Sequence, residues 1–475
     1  MRSPDPEMAV QKPLGTRRQT PKEEVCTVGV IGTGHYGTAF LCQTQAIPKI
    51  HVSIVCDRDL TNARKACRLA GIPEEKVVPC QDRKEILQLL RSPCTLIVED
   101  SRLLLSAPLD VVVECTGDAE TGAYHASLAL QQGKHVAMVT KETDVVVGPL
   151  LQQQATRARL AYTPVDGDQH GLLIHLVSWC RALGLEIVAA GKARDSEFIL
   201  RGERLVRGGE TIHLSPDQVP FFQPLRPGAT LSFLKLRNQI LSGLARVEPF
   251  DICELTVAAN ATGLSPDIPE LHAPVLRTIE IPEALGCQDE GGILSDSGRI
   301  EAVSCLRNDH EAGLGGGVFC VVRSHNAYSR RILSSKGCIT DSKQERALVY
   351  RPYHLCGVET ATTVLSAKRL GEQANMGSDH PKFDMICEAM VPWKKGERLS
   401  ETRDGRLGVR ALIVPYTPLS DSSPPPYFLA MGCVLNRDMS PGEIIDSSGI
   451  VPPKESTLWS LRKEQDILHG AGRCP

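Results

Sequence analysis

The stretch Val25-Cys26-Thr27-Val28-Gly29-Val30-Ile31-Gly32-Thr33-Gly34-His35-Tyr36-Gly37 decides how the rest of the chain is read. A short β-branched run, Val28 to Ile31, breaks into Gly32-x-Gly34-x-x-Gly37, and no Pro or further Gly follows for ten residues. That is a strand, a tight turn and a helix. Gly32 allows the turn, Gly34 lets the backbone approach a pyrophosphate, and Gly37 lets helix and strand pack closely. The helix N-terminus offers free N–H groups and a positive dipole end to phosphates. With Thr33, His35 and Tyr36 between them, these glycines form the expected cofactor turn.

The context supports a dinucleotide site. The next strand, His51 to Cys56, ends in Asp57, twenty residues after Gly37, where a carboxylate would meet a ribose 2′-hydroxyl. Asp57 repels a 2′-phosphate and favours NAD, whereas Arg58 could receive that phosphate, so NAD and NADP both stay open. Farther on, Leu109 to Cys115 is a near-continuous apolar run, as expected of a buried parallel strand. Thr116-Gly117 then turns at the carboxyl edge of the sheet, where ligands of such folds sit. The helical readings 61–70, 82–91 (Ile86, Leu87, Leu89 and Leu90 inward), 119–132 and 145–157 alternate with strands at 77–78, 135–139 and 160–162. The fold class is α/β, with a doubly wound parallel sheet.

At 475 residues the chain is long enough for two or three domains, and a net charge of −3 with no Lys/Arg run gives no support for a nucleic-acid surface. No stretch of about eighteen apolar residues suggests a membrane span, and the first twenty residues lack a secretory apolar core. The 17 cysteines contain no C-x-x-C pair and sit mostly in apolar runs. They read as free thiols in a reducing, cytoplasmic compartment, with no zinc spacing.

Past residue 165, Asp166-Gly167-Asp168-Gln169 caps a helix over 171–183 whose inward stripe includes Leu172, Leu176 and Trp179. The strand Ile187 to Lys192 delivers Lys192 to its end, much as the strand 135–139 leads to Lys141. Lysine suits the second requirement of a reductase, a cation that meets a developing alkoxide and can transfer a proton. Lys141 and Lys192 are therefore the candidate catalytic pair. Asp166 and Asp168 either orient substrate or hold a divalent cation, while Asp168 is equally a plain helix N-cap. Glu254 lies in an apolar helix, 250–262, as a buried acid or an edge residue. Arg351, Tyr353 and His354 form a cluster able to receive a phosphate or carboxylate, or a structural one. Residues 194–226 are Pro-rich and read as loop, 231–244 as helix, 318–322 as a strand after Gly315-Gly316-Gly317, which reads as a mobile hairpin turn or an anion nest, and 354–370 as a long apolar helix. Beyond a break at 371–381 comes a small β-rich segment, in which Trp393 to Leu399 is echoed by Leu435 to Ile445.

Several blocks together carry a family resemblance: V-G-V-I-G-T-G-H-Y-G-T-A-F, D-V-V-V-E-C-T-G, G-K-H-V-A-M-V, G-D-Q-H, V-A-A-G-K, A-N-A-T-G-L and Y-R-P-Y-H-L. With Gly442-Glu443-Ile444-Ile445 after N-R-D-M-S-P, the chain resembles the homoserine dehydrogenase-like oxidoreductases that carry a C-terminal SAF domain, some of them 1-deoxy-D-xylulose 5-phosphate reductoisomerase-like. The resemblance implies an NAD(P)-binding Rossmann domain over 25–165, an α+β substrate and dimerisation domain over 166–375 and a small β-clip SAF-like domain over 380–451; by their composition, residues 1–24 read as a flexible tail and 452–475 as a loose one. It implies NADPH more often than NADH for the reductoisomerase-like members, and a substrate-side lysine at Lys141 for the homoserine dehydrogenases. The expected activity is NAD(P)-dependent oxidation or reduction at a carbonyl or secondary alcohol of a small polar or phosphorylated metabolite, by a dimer or tetramer. The alternative is a nucleotide-binding sensor or pseudoenzyme whose SAF module binds a partner or sugar-like ligand.

Overall fold

The computed structural model describes residues 24–90, 92–226, 228–241, 244 and 247–470. The expected tail over 1–24 lies outside the described residues except for Glu24, as does Arg91 at the end of its expected helix. Seven parallel strands form the first sheet: β1 (Cys26–Ile31), β2 (Ile50–Cys56), β3 (Val77–Pro79), β4 (Thr95–Val98), β5 (Val111–Glu114), β6 (His135–Met138) and β7 (Tyr162–Pro164). Their spatial order is β3-β4-β2-β1-β5-β6-β7, with every pairing parallel. The chain winds outward in both directions from β1, so the switch point lies between β1 and β5, where the loops after the two strands diverge. Helices α1 (His35–Thr44), α2 (Leu60–Leu69), α3 (Arg83–Leu89), α4 (Ser101–Leu105), α5 (Ala119–Gln131) and α6 (Lys141–Arg157) alternate with the strands. Four of them start at an aspartate. Asp59, Asp82, Asp100 and Asp118 each accept a backbone N–H of the first turn, which satisfies a donor that the helix leaves open.

Some expectations about this unit fail for local reasons. β4 and α4 are too short to carry a period and escape a reading of the sequence. Leu87 points outward, 41% exposed, whereas Ile86 is fully buried. Helix α6 begins at Lys141 rather than at Val145, because Glu142 and Asp144 in the first turn suit the positive end of the helix.

The second unit opens with α7 (Gln169–Ala182), β8 (Glu186–Ala193), β9 (Phe198–Arg201), β10 (Arg204–Arg207) and β11 (Glu210–His213). It continues with α8 (Thr230–Ile240), α9 (Pro249–Thr262), β12 (Ser265–Pro266), β13 (Val275–Leu276), α10 (Ile281–Ala284), β14 (Arg299–Asn308), β15 (Val318–Arg323), α11 (Ala327–Ser335), β16 (Ile339–Thr340), β17 (Arg346–Arg351) and α12 (Thr360–Leu370). Its mixed sheet runs β11-β10-β9-β14-β8-β15-β17-β16. β14 is the seam: residues 299–303 pair with β8 and residues 306–308 with β9. The segment expected as loop over 194–226 thus holds three strands, each only four residues long and rich in charge. Trp179 is 53% exposed and not on the inward stripe. The expected helix over 354–370 starts only at Thr360. It returns to the first unit, where Ala361, Val364 and Ala367 join the core beneath β1 and β2.

The last segment has β18 (Phe383–Ala389), β19 (Thr402–Arg403), β20 (Arg406–Leu407), β21 (Val409–Pro415), α13 (Tyr427–Ala430), β22 (Val434–Leu435), β23 (Ile450–Val451) and α14 (Thr457–Gly470). The two echoing stretches pair with each other, Trp393 N–H donating to Met439 C=O and the reverse, both at 3.0 Å. Residues 457–470, expected to be loose, form α14 with Leu458, Arg462 and Gln465 buried. Arg462 donates to both Asp384 carboxylate oxygens, at 2.5 and 2.9 Å, which ties the helix to β18. Gln465 closes a gap in α6. Pro149 distorts that helix, and the Gln465 amide bridges Leu150 N–H and Val146 C=O, both at 3.1 Å. Among the described residues no helix is long and apolar enough to cross a membrane.

Candidate active site

The three glycines of the first turn do different work. Gly32 has φ +96°, and a Cβ there would stand 2.7 Å from the Cys115 carbonyl oxygen. A Cβ on Gly37 would run into the carbonyl oxygen of Gly32. At Gly34, by contrast, a Cβ would meet nothing within 4 Å, so this backbone faces open space, as a phosphate-binding turn requires. Gly34 opens α1, and exposed His35 is its first residue. A cleft of about 670 Å³ begins here, lined by Gly32, Thr33, Gly34, Asp57, Arg58 and Thr116 among others. The Asp57 carboxylate accepts the Thr33 N–H at 3.0 Å, the Thr33 hydroxyl and the Asp59 N–H at 3.0 Å, which fixes it at the cleft edge. Tyr36 turns away from the cleft. Its hydroxyl contacts Thr360 Oγ1 at 2.7 Å and Asp166 C=O at 3.2 Å, so it joins α1 to the second unit.

Across the cleft, Thr116 Oγ1 donates to Glu114 Oε1 at 2.6 Å, and Gly117 N–H donates to Thr140 Oγ1 at 3.0 Å. The latter bond links the loops after β5 and β6. Glu114 is fully buried beside His125 Nδ1, 3.3 Å away, a pair that the sequence reading did not single out.

The second feature is a buried charged cluster. Lys141 arrives at the start of α6, Asp168 just before α7, Lys192 near the end of β8, and Asp251 and Glu254 on α9. Glu254 bridges the lysines. One oxygen accepts from Lys141 Nζ and the other from Lys192 Nζ at 2.5 Å. Lys192 Nζ also lies 2.7 Å from Asp251 Oδ1 and 5.2 Å from the centre of the Phe250 ring. Lys141 Nζ is 3.6 Å from Asp168 Oδ2, and Arg194 Nε donates to Asp251 Oδ2 at 3.2 Å. Burial pushes both lysines toward the neutral form, but the facing carboxylates outweigh it and hold each above its ordinary value. Burial likewise opposes ionisation of Glu254, yet Lys192 and Lys141 hold it down to about 2. His170 is buried against the cluster, and burial lowers its pKa, so the imidazole is neutral there. Gln169 Nε2 clamps the start of α7 to the end of β8, donating to Ala193 C=O at 2.8 Å and Gly317 C=O at 3.0 Å.

Residues 251–360 match the family model described as Oxidoreductase DRL, catalytic domain. The match begins at Asp251 and takes in Glu254, so in this stretch the chain is similar to an oxidoreductase catalytic domain. No curated protein sequence matches the chain. Among solved structures, an NAD binding oxidoreductase from Klebsiella pneumoniae is similar at 20% identity, covering 37% of this chain and 43% of that one, with a TM-score of 0.27. The 1-deoxy-D-xylulose 5-phosphate reductoisomerase from Zymomonas mobilis in complex with NADPH is similar at 17% identity, covering 36% and 46%, with a TM-score of 0.27. The levoglucosan dehydrogenase complex with NADH shows 16% identity over 36% and 44%, with a TM-score of 0.25. The chain spans under half the length of each of these.

Of the four catalytic candidates, Lys141, Lys192 and Asp168 come together and Asp166 does not. Asp166 accepts from Thr362 Oγ1 at 2.7 Å and pairs with His175 Nδ1 at 2.6 Å. The two aspartates therefore do not converge on a cation, and the ammonium of Lys141 already faces Asp168. These residues do not fit a divalent metal, and among the described residues no group of three or more His, Cys, Asp and Glu is placed to hold one. Asp168 serves as the N-cap of α7 as well as facing Lys141. Arg351 is paired with Glu359, and His354 Nδ1 lies 2.6 Å from Gly316 C=O, so this cluster holds its own loop to the three-glycine turn. Asp251 carried no sequence signal, because its role depends on meeting Lys192 and Arg194 from another strand.

Proposed function

We propose that this chain is an NAD(P)-dependent oxidoreductase acting on a carbonyl or secondary alcohol of a small polar or phosphorylated metabolite, homoserine dehydrogenase-like or 1-deoxy-D-xylulose 5-phosphate reductoisomerase-like. The observation that carries it is the Glu254 bridge between Lys141 and Lys192, in a stretch similar to an oxidoreductase catalytic domain, in a chain that also presents an open Gly34 turn. Gly32, Thr33, Gly34 and the N-terminus of α1 would hold the pyrophosphate, and Asp57 or Arg58 the adenosine ribose end. When bound, the nicotinamide supplies or accepts the hydride.

The rest of the work falls to the chain itself. Lys141 and Lys192, kept charged by Glu254, Asp251 and Asp168, act as fixed cations for an oxyanion. Lys141 donates one hydrogen bond within the cluster and has further N–H groups to offer. A preorganised cation in a dry site stabilises developing negative charge far better than one in water. Asp168 faces Lys141 and helps to orient it.

Fluorescence titration with NADH and with NADPH tests the reading, with Gly34→Trp as the blocked-site control. Saturable binding of one nucleotide that the control loses supports it, and absence of binding by both refutes it. Lys192→Met then separates the chemistry from binding: turnover falls while nucleotide affinity stays.

A further inference from the structure

A second cavity, of about 660 Å³, adjoins the cofactor cleft. Asp118 lines both, and Gly117 and Glu142 lie on its inner wall. It therefore opens at the carboxyl ends of β5 and β6, the edge of a doubly wound sheet where ligands collect. Its outer wall comes from the C-terminal segment and includes Phe428, Met431 and Trp459. Glu142 is the neighbour of Lys141 in the first turn of α6, and among the described residues no ion pair holds it. The other acid on that wall, Glu120, is already engaged, since its carboxylate accepts from Ser456 Oγ and the N–H groups of Thr457 and Leu458. Asp118 caps α5.

We propose that this cavity receives the substrate, that the Glu142 carboxyl carries the proton that joins or leaves the reacting oxygen, and that the polar or phosphorylated metabolite also has an apolar part, which lies against Phe428, Met431 and Trp459. The inference rests on the oxidoreductase reading and supplies what that reading lacks. Lys141 and Lys192 are held in their charged forms by carboxylates and do not release a proton readily. Burial raises Glu142 to about 7, against the pull of Lys141, with Asp168 and Glu254 adding to the rise. A group with that proton affinity serves in either direction near neutrality. In reduction, the Glu142 O–H bond breaks and an O–H bond forms on the substrate oxygen as the carbonyl carbon takes the hydride. Glu142 is left as a carboxylate that regains its proton from water. Oxidation runs the same transfers backwards.

The test uses the full chain, with and without saturating nucleotide. Infrared difference spectra between the wild type and Glu142→Gln isolate the carboxyl C=O band of Glu142. The expected result is a protonated band below neutrality that disappears with a midpoint of about 7. A band missing at mildly acidic pH, or a midpoint in the ordinary carboxylate range, overturns the role of Glu142. The amphiphilic probe 8-anilinonaphthalene-1-sulfonate tests the wall. It should bind saturably, raise the Glu142 midpoint, and lose about tenfold in affinity in Met431→Glu. Phe428→Ser is the second variant if that protein does not fold. Unchanged probe affinity in both, or a midpoint indifferent to the probe, overturns the cavity assignment. Nucleotide affinity should be the same in Glu142→Gln as in the wild type. Loss of nucleotide binding in the wild type itself would refute the oxidoreductase reading, while the infrared and probe results would still decide the cavity.

Discussion

The cofactor cleft and the lysine cluster are built in opposite ways. The cleft is made mainly of backbone, from one strand, one turn and one helix contiguous in sequence, with Asp57 added by the next strand. The cluster is made of side chains alone, brought from α6, the start of α7, β8 and α9. The first depends on which residues lack a side chain, the second on which charges face each other away from water. A backbone site tolerates loss of any nearby side chain and fails when a Cβ is added. A buried ionic site fails when a single charge is removed, because its partners stay buried without compensation.

The largest expected effect lies on the ionic side. Glu254→Leu leaves Lys141 and Lys192 without their shared carboxylate and should cost about 3–5 kcal/mol, read as a lower urea midpoint at unchanged slope. Equal stability of variant and wild type would break the contrast between the two sites. The backbone side comes next. Gly37→Ala must push the Gly32 carbonyl aside and should cost about 3 kcal/mol, whereas Gly34→Ala, facing open space, should stay within about 0.5 kcal/mol yet weaken nucleotide binding. Thermal unfolding and nucleotide titration of both variants separate the two glycines. Gln465→Leu should cost about 1–2 kcal/mol by leaving Val146 C=O and Leu150 N–H unpaired in α6, and should slow nucleotide exit little, since the cleft does not use α6.

The pH dependence sharpens the same comparison. Glu254 is held down to about 2 when folded, below the ordinary 4.5, so its stabilisation is complete above about pH 5 and is lost as pH falls toward 2. Glu142 is raised to about 7, so the folded state binds its proton more tightly and stability declines as pH rises from 4.5 through 7. Chemical unfolding across pH should show the acid-side slope disappear in Glu254→Leu and the neutral-side slope disappear in Glu142→Gln. Asp57→Ala should change the ratio of NADPH to NADH affinity about tenfold, toward NADPH.

Legibility followed the same divide. Gly32 and Gly37 each have a conformational or steric reason to be glycine that operates within a few residues or on the adjoining strand, Gly34 leaves open backbone between them, and the order strand, turn, helix, strand, acid is written in a single run of sequence. Lys141, Lys192 and Asp168 were visible as charges at the ends of elements, but the same reasoning placed Asp166 with them. Nothing local distinguishes the two aspartates two residues apart. His175, one helical turn and more into α7, and Thr362, nearly two hundred residues away, decide where Asp166 turns. Glu254 and Asp251 sit in an apolar helix and read as acids of no particular use until β8 and α6 deliver lysines to them. The helix over 457–470 has a polar composition, and Glu120, Asp384, Tyr416 and the opened rung of α6 give it partners that the sequence does not reveal.

By itself, then, the sequence determined the doubly wound α/β sheet, its glycine-rich turn and the aspartate at the cleft edge, because these follow from backbone conformation and short-range periodicity. The tertiary structure alone decided that Glu254 joins two lysines, that Asp166 leaves the cluster, and that the C-terminal segment walls a cavity beside the cleft. The physical reason is that burial and charge pairing are properties of neighbours in space, and those neighbours lie far apart along the chain.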